Sequence, residues 1–492
     1  MSSTLPPEVM RRIIDLLIHE HRSVVTVDRS SEISHHRWAL TKDAPVYASV
    51  CKFWQDIIER ESFAILFLSL ERLSDANTIM SPRRRGYVQS IHLQVILPHY
   101  FDAAWGQVET PEEQLDNSVI TTATIKAFIE HMAKWKMEDL PKDRRLTVRL
   151  VAMSPSDEHY APPEEMRQRQ LWPRPKWKQI YEKRYENSVL ELKDIHTFAS
   201  LPEVSVIDVI DKPHTSGARH FAPAVVCALF GRLRNVRAAT GHVWDDPRDY
   251  SDRRHRIRAD LAQVVQDFEV VPDMLILHQE TDNKLHENHS AEPVIFTPQG
   301  TDDPLTVSLR GLSQRSKNLT LSMFIIGDEF WSTQSTDADN RPAWPFLTHL
   351  HMRLRLSTPD GRWRFDYAEP ESQSESEGDS ESEDSEDSDY EAVNSLRRRA
   401  MPDMMNNFYR SVARAALQMP QLKFMELDFR GWDSKDVTFH TFRYQVKDSG
   451  PLATWYSYPS FGPEADIMEL WKQVGVKYHN VTTGIFVSEE RP

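Results

Sequence analysis

The sequence predicts a mixed α/β fold, in which a small helical segment at the amino terminus precedes a large body of alternating strands and helices. Three observations support this prediction. Apolar residues recur at helical spacing within about the first 60 residues, later runs alternate apolar and polar residues as half-buried strands do, and helical patterns separate those runs. Apolar residues make up 40% and aromatic residues 10% of the 492 residues, which is enough material for a large core.

Two helices are predicted near the amino terminus. The first opens at Leu5-Pro6-Pro7-Glu8, because proline is favoured in the first turn and an acid there complements the positive end of the helix dipole. Its apolar stripe consists of Val9, Ile13, Leu16 and Leu17. A polar segment from 19 to 42 separates it from a second helix that begins near 43–45. The apolar face of the second helix consists of Val46, Val50, Trp54, Ile57 and Ile58.

The body of the chain alternates strands and helices. Period-two runs predict strands that contain Ile91/Leu93/Val95, Leu146/Val148/Leu150, Leu319/Leu321/Met323, Leu350/Met352/Leu354 and Met425/Leu427/Phe429. Helical patterns lie between them at 118–136, 164–193, 222–231, 252–268 and 401–418. Because strand and helix alternate, we expect a largely parallel sheet.

Three of these strands share the pattern apolar-x-x-apolar-x-apolar, which is the strand part of a leucine-rich repeat. The pattern occurs at Val88/Ile91/Leu93, Leu347/Leu350/Met352 and Leu422/Met425/Leu427. The strands lie roughly 30 to 60 residues apart instead of about 20 to 29, so we predict an irregular leucine-rich-repeat-like α/β body. Aromatic runs at 437–446 and around Trp455 predict antiparallel strands near the carboxyl terminus, then a short helix at 464–473 and a last strand at 481–487.

An acidic, serine-rich segment interrupts the body between Glu371 and Glu391. It holds eleven acids and no base, so the rest of the chain carries only −15 + 11 = −4 of the net charge. With almost no apolar surface, we expect it to remain disordered. Five serines have an acid three residues later and are candidate phosphorylation sites: Ser372, Ser374, Ser376, Ser380 and Ser388. Phosphorylated, they would attract an Arg- or Lys-rich partner, and a merely solvated spacer is the open alternative.

Several function classes find no support in the sequence. No apolar run is long enough to span a membrane, and the amino terminus lacks the basic region of a signal peptide, so a cytoplasmic and/or nuclear protein is expected. Phosphate-loop, dinucleotide and nucleophile-elbow motifs are absent, and the histidine pairs lack metal-ligand spacing. No cofactor, no metal and no catalytic residue is therefore predicted. Nucleic-acid binding is not expected of a chain with this acidic balance.

Two arginine triplets, Arg83–Arg85 and Arg397–Arg399, leave a choice open. They are either solvated faces or contacts for phosphate or for nuclear import. Interleaved aromatic residues, which single-stranded nucleic-acid binding would require, do not flank either triplet.

The amino-terminal motifs resemble the F-box. That family has L-P-x-E at a first helix and V-C-[KR]-x-W at a later one. This chain has Leu5-Pro6-Pro7-Glu8 followed by Val50-Cys51-Lys52-Phe53-Trp54, with a longer link at 19–42 than is usual. The resemblance covers about residues 4–62. Looser similarity to a fungal group of F-box-like proteins with α/β bodies extends over most of the chain, and includes the run from Arg83 to Val95.

This resemblance implies a substrate receptor of a cullin–RING ubiquitin ligase. Such a chain docks on a Skp-type adaptor, brings an unknown protein substrate to the cullin assembly, and performs no chemistry itself. The residues expected to bind the adaptor are Leu5, Pro6, Ile13, Leu17, Val50 and Trp54, with Trp54 as the hot spot. Two alternatives stay open: an ordinary helical hairpin, or a scaffold outside the ligase that binds a basic partner through its acidic segment.

The predicted organisation has four parts. Residues 1–75 form the F-box-like helical module with its inserted loop at 19–42, and residues 76–367 form the irregular α/β body. Residues 368–396 are the acidic insertion, and residues 397–492 complete the body.

Overall fold

The computed structural model describes most of the chain. The residues described are 6–18, 44–100, 104, 107–141, 146–156, 184, 189–215, 220–244, 251–268, 271–280, 293–333, 342–367, 397–429 and 439–488. Leu5, the predicted loop at 19–42, most of the helical pattern at 164–193 and the acidic segment with its five candidate serines lie outside them.

A twelve-stranded sheet runs through the described residues, and its strands lie side by side in chain order. Strands β4 with β6, and β11 with β12, form two small separate pairs. The strands are β1 Ile65–Ser69, β2 Ser90–Ile96, β3 Thr147–Met153, β4 Val189–Leu190, β5 Val209–Thr215, β6 His220–Phe221, β7 Ala238–Trp244, β8 Met274–Glu280, β9 Asn318–Phe324, β10 His349–Leu354, β11 Phe365–Tyr367, β12 Arg397–Ala400, β13 Phe424–Phe429, β14 Phe439–Lys447, β15 Gly450–Tyr458 and β16 Gly484–Ser488.

Pairing in the large sheet is parallel from β1 to β13. Strands β13, β14 and β15 are antiparallel to one another, and β16 returns parallel to β15. The mostly parallel sheet confirms the mixed α/β class that the alternation of strands and helices predicted. A parallel return needs a crossover, and a helix between β15 and β16 supplies it.

The helices follow the same order along the chain. They are α1 Pro7–Ile18, α2 Ala44–Ala48, α3 Lys52–Ala64, α4 Leu70–Ile79, α5 Pro82–Arg85, α6 Pro111–Met132, α7 Pro223–Phe230, α8 Ser251–Gln266, α9 Pro304–Arg315, α10 Pro402–Ala416 and α11 Ala465–His479. Local chemistry fixes several of their starts. In α6, for example, the Thr110 side chain accepts from the Glu113 N–H while Glu113 accepts from the Thr110 N–H, a complete capping box with Pro111 next in line.

The main core lies between α4, α6–α11 and one face of the large sheet. Because parallel strands pair in register, apolar residues form rows across that face: Leu319, Leu350 and Met425 stand side by side and are almost fully buried. The opposite face, here called the polar face, carries Thr320, His351 and other hydrophilic side chains at the alternate positions.

The amino-terminal helices α1–α3 have a small core of their own. It consists of Ile14, Ala44, Ile57 and Ile58. Leu66 in β1 and Leu73 in α4 already belong to the main core. The change from one core to the other therefore falls between Ile58 and Leu66, ahead of the boundary at residue 75 that the sequence suggested.

A glycine in α11 permits the close approach of the turn that leads into β16. A Cβ at Gly475 would lie 2.5 Å from the Val481 carbonyl oxygen and 2.6 Å from the Thr483 nitrogen, so the backbone would have to move. We predict that Gly475→Ala lowers the free energy of unfolding by about 1–3 kcal/mol, measured by urea denaturation.

Gly311→Ala is the matched control, since Gly311 lies within α9 and a Cβ there meets nothing within 4 Å. It should be neutral or stabilising by up to about 1 kcal/mol, because alanine is the better helix former. Equal effects of the two substitutions would contradict the proposed role of Gly475.

Candidate partner-binding surface

Helix α1 carries apolar side chains both on its buried side and on its exposed side. Its Ile14 side chain is fully buried in the small core, and the Met10 N–H donates to the Pro6 carbonyl oxygen at 3.0 Å where the helix opens. Six large apolar side chains of these helices and of the turn after α2 are exposed, and we call them the amino-terminal apolar surface: Val9, Ile13, Leu16, Leu17, Val46 and Val50. A helix that is apolar on two sides is suited to a second contact.

Exposure is highest at Leu16 (68%), Val46 (63%) and Val50 (61%). Of these three, the sequence had singled out only Val50 as an adaptor contact. The buried Ile14 shows which side of α1 faces inward. The sequence could not show this, because the apolar positions of α1 occupy both sides of the helix.

Among the other predicted contacts, Pro6, Ile13 and Leu17 are exposed. Trp54 differs, since it is partly buried against the small core and its ring lies 6.3 Å from that of Tyr47. Its replacement would weaken the fold of the helices as well as any partner contact. The exposed residues Leu16 and Val50 are therefore the cleaner positions for testing binding.

Ion pairs join α3 to α5 at the start of the body. Arg84 Nη2 lies 2.8 Å from Glu59 Oε1, and Arg83 Nη2 lies 3.2 Å from Asp56 Oδ1. The Tyr87 hydroxyl donates to Asp56 as well. In the same triplet, Arg85 Nη1 lies 2.8 Å from Asp139 Oδ2. The arginines at 83–85 thus have carboxylate partners within the chain, a structural role that the sequence did not predict.

The two carboxylates of α3 stay ionised because of these partners. The Tyr87 hydrogen bond is the main cause of the lowered pKa of Asp56, to which Arg60 and Arg83 add against the effect of burial. Burial acts to raise the pKa of Glu59, but hydrogen bonds from Arg84 and Gln55 outweigh it, and the pKa is lowered.

The polar face of the body presents a row of hydrophilic side chains. In register across β10, β13 and β14 stand His351, Glu426 and Arg443. Glu426 lies 3.3 Å from His351 Nε2 and 2.6 Å from Arg443 Nη2. The side chains of His351 and Arg443 remain 43% and 37% exposed. This row offers both hydrogen-bond donors and an acceptor to a partner lying on the face.

A cavity of about 370 Å³ opens past the carboxyl ends of β9 and β10. Its charged lining residues are Asp302, Asp328, Glu329, Asp360 and Arg362. Burial raises the pKa of Glu329, the nearby Asp303 and Asp302 add to this, and the Asp303 N–H donates to Glu329 Oε1 at 2.9 Å. The residues come from three separate loops, so no single stretch of sequence could predict the cavity.

A serine and a histidine also meet inside the carboxyl-terminal part. His440 contacts the Tyr409 hydroxyl at 2.8 Å and the Ser457 hydroxyl at 2.9 Å. Burial lowers the pKa of His440 to about 3, so its ring stays neutral. All three residues are buried, and the Ser457 hydroxyl lies 2.8 Å from the Pro459 carbonyl oxygen, to which it donates. The arrangement satisfies buried polar groups and exposes no nucleophile.

In comparison with known proteins, residues 392–492 match a family of unknown function, DUF6546. The matched segment includes α10, α11 and β13–β16, and its β13 pairs in register with β10, which lies outside the match. Neither the curated proteins nor the solved structures include a match to the chain.

Two further findings apply to the described residues. Every helix there is too short or too polar to cross a membrane. Within the same part of the chain, His, Cys, Asp and Glu side chains do not converge in groups of three or more that could hold a metal ion.

The α3–α5 link leads to a stability prediction. Arg84→Ala removes the nearer guanidinium partner of the Glu59 carboxylate, whose side chain is 9% exposed, and leaves it only Arg83 Nη2 at 3.8 Å. We expect the free energy of unfolding at pH 7 to fall by about 1–3 kcal/mol, measured by urea denaturation. Lys472→Ala removes an ion pair in which both side chains are well exposed, and as the control it should change stability by less than about 1 kcal/mol.

The effect of Arg84→Ala should depend on pH. The pKa of Glu59 is lowered on folding from its ordinary 4.5, so the pair stabilises the protein above that value and the stabilisation is lost as the pH falls through the folded-state pKa. The difference between wild type and variant should therefore shrink in acid. A difference that stays constant from neutral pH into acid would contradict the assigned ion pair.

Proposed function

We propose that this chain is a non-catalytic, F-box-like substrate receptor of a cullin–RING ubiquitin ligase. It binds a Skp-type adaptor through the amino-terminal apolar surface and holds a protein substrate on its body. The observation that carries the proposal is the exposure of Leu16, Val46 and Val50 beside a separate small core. Exposed apolar side chains grouped on a small helical unit are typical of a protein-binding site.

The motif positions support this proposal. Pro6 and Glu8 lie at the opening of α1, and the segment from Val50 to Trp54 leads into and begins α3. The two parts of the F-box-like pattern thus fall on the helices that share the small core. Among the described residues that core has four buried members, so it leaves apolar surface for an adaptor to cover.

The body supports a receptor role through its architecture. Its strands lie in chain order, as they do in leucine-rich-repeat proteins, where each unit packs against its neighbours. Such a sheet presents a wide face, and here the polar face carries the row of His351, Glu426 and Arg443. We propose this face as the substrate-binding surface.

The mechanism is an increase in effective concentration. The adaptor would hold one end of the chain, the substrate would lie on the sheet, and a ubiquitin-loaded enzyme elsewhere in the assembly would meet the substrate's lysines. The α3–α5 ion pairs matter here, because they keep the adaptor-binding helices at a fixed position relative to the body.

A pull-down of the full chain from cell extract tests the proposal. Wild type should recover the Skp-type adaptor and the cullin. The double variant Leu16→Lys with Val50→Lys should recover about tenfold less adaptor and cullin, because two unpaired charges would be buried in an apolar interface. Both positions are exposed in the free chain, so the variant should fold, which circular dichroism checks.

Leu115→Lys serves as the matched control, since Leu115 is a similarly exposed leucine on α6, 52% accessible and outside the amino-terminal apolar surface. It should recover both partners as wild type does. Recovery of the adaptor without cullin would favour a scaffold outside the ligase, and recovery of neither by folded wild type would refute the receptor hypothesis.

A further inference from the structure

Strand β16 forms the carboxyl-terminal edge of the large sheet. Its residues pair with β15, with Ala453 opposite Ile485 and Trp455 opposite Val487. Among the residues that the structure describes, no strand pairs with its other side. The outward backbone groups of such a strand form a ready template for another strand.

The described residues of this edge lack the usual protection against pairing. Its sequence, Gly484-Ile485-Phe486-Val487-Ser488, contains no proline and no charged residue. Phe486 is 52% exposed and Val487 is 42% exposed. Native proteins normally place lysine, proline or a bulge on an open edge, and an edge with none of these is expected to be covered by a partner.

The exposed apolar side chains lie on both faces of the edge. Val487 is on the face of the main core, next to the buried Trp455, and Val476 on α11 is exposed nearby in sequence. Phe486 is on the polar face, where its ring lies 6.5 Å from that of Tyr456. An isolated peptide strand would supply backbone partners but no helix layer beside Val476. A second copy of the same edge supplies both layers.

We propose that β16 pairs antiparallel with β16 of a second copy of this chain, about a two-fold axis. When the five residues overlap completely, Phe486 stands opposite Phe486 and Ile485 opposite Val487. Aromatic pairs and β-branched pairs of this kind stabilise antiparallel strands. Two glutamates, Glu489 and Glu490, follow in the sequence, and a register shifted toward them would bring like charges together.

Dimerisation of this kind joins two sheets into one and places the amino-terminal apolar surfaces at its two far ends. It is independent of the proposed ligase role, because neither β16 nor its neighbours belong to the amino-terminal apolar surface. The interface is isologous, with the same strand contributed by each copy.

Sedimentation equilibrium of the full chain over a micromolar dilution series tests the inference. Wild type should dimerise reversibly. Phe486→Lys and Phe486→Glu should each weaken dimerisation by about tenfold to a hundredfold, because like charges then face each other across the axis. An equimolar mixture of the two variants should regain the dimer, since lysine then faces glutamate.

Ile65→Lys is the control, because Ile65 is 51% exposed on β1, at the opposite edge of the sheet, and this variant should dimerise as wild type does. Circular dichroism confirms that each variant is folded. A monomeric wild type, or a Phe486→Lys variant that dimerises as wild type does, would overturn the proposal. Failure of the mixed variants to associate would overturn the pairing of Phe486 with Phe486.

Discussion

In-register pairing of neighbouring strands is the constraint on which the rest of this structure depends. The strands of the large sheet lie side by side in the order in which they occur along the chain. Apolar residues such as Leu319, Leu350 and Met425 therefore align in rows that the helices cover. A slip of one residue would turn such a row toward the polar face, so the rows hold the register. The alternate positions lie on the opposite face of the sheet, so they can be polar without placing polar groups in the core.

The same constraint gives the sheet two ends with different neighbours. At the amino-terminal end, β1 follows directly from α3, and the pairs of Asp56 and Glu59 with Arg83 and Arg84 fix the small helical core against the body. At the carboxyl-terminal end, β16 carries no charge and exposes Phe486. The two proposed partner contacts, adaptor at one end and second copy at the other, follow from these ends.

Much of the fold could be predicted wherever one periodicity dominated. The alternation in Leu350, Met352 and Leu354 gave β10, and the helical pattern at 401–418 gave α10. Strand β1 was missed because Ile-Leu-Phe-Leu-Ser follows α3 with no turn residue between them. Strand β7 was missed because three of its first four residues are alanine or glycine, which are depleted in strands, and because the segment has no clear period.

The candidate site was harder to predict than the fold. Motifs located the helices that bear it, but tertiary packing decides which apolar side chains stay exposed. Leu16, which was not predicted as a contact, is exposed, whereas Trp54, which was, is partly buried. The partners of Arg84 and the loops around Glu329 likewise meet only after folding.

We propose that the amino-terminal helices bind a Skp-type adaptor. Amide hydrogen exchange of the full chain, alone and with purified adaptor bound to cullin, tests it most directly. Adaptor binding should slow exchange in Pro7–Ile18 and Lys52–Ala64 and leave β9 and β10 unchanged. Exchange that is unaltered in both helices while the adaptor complex is present in excess would contradict it.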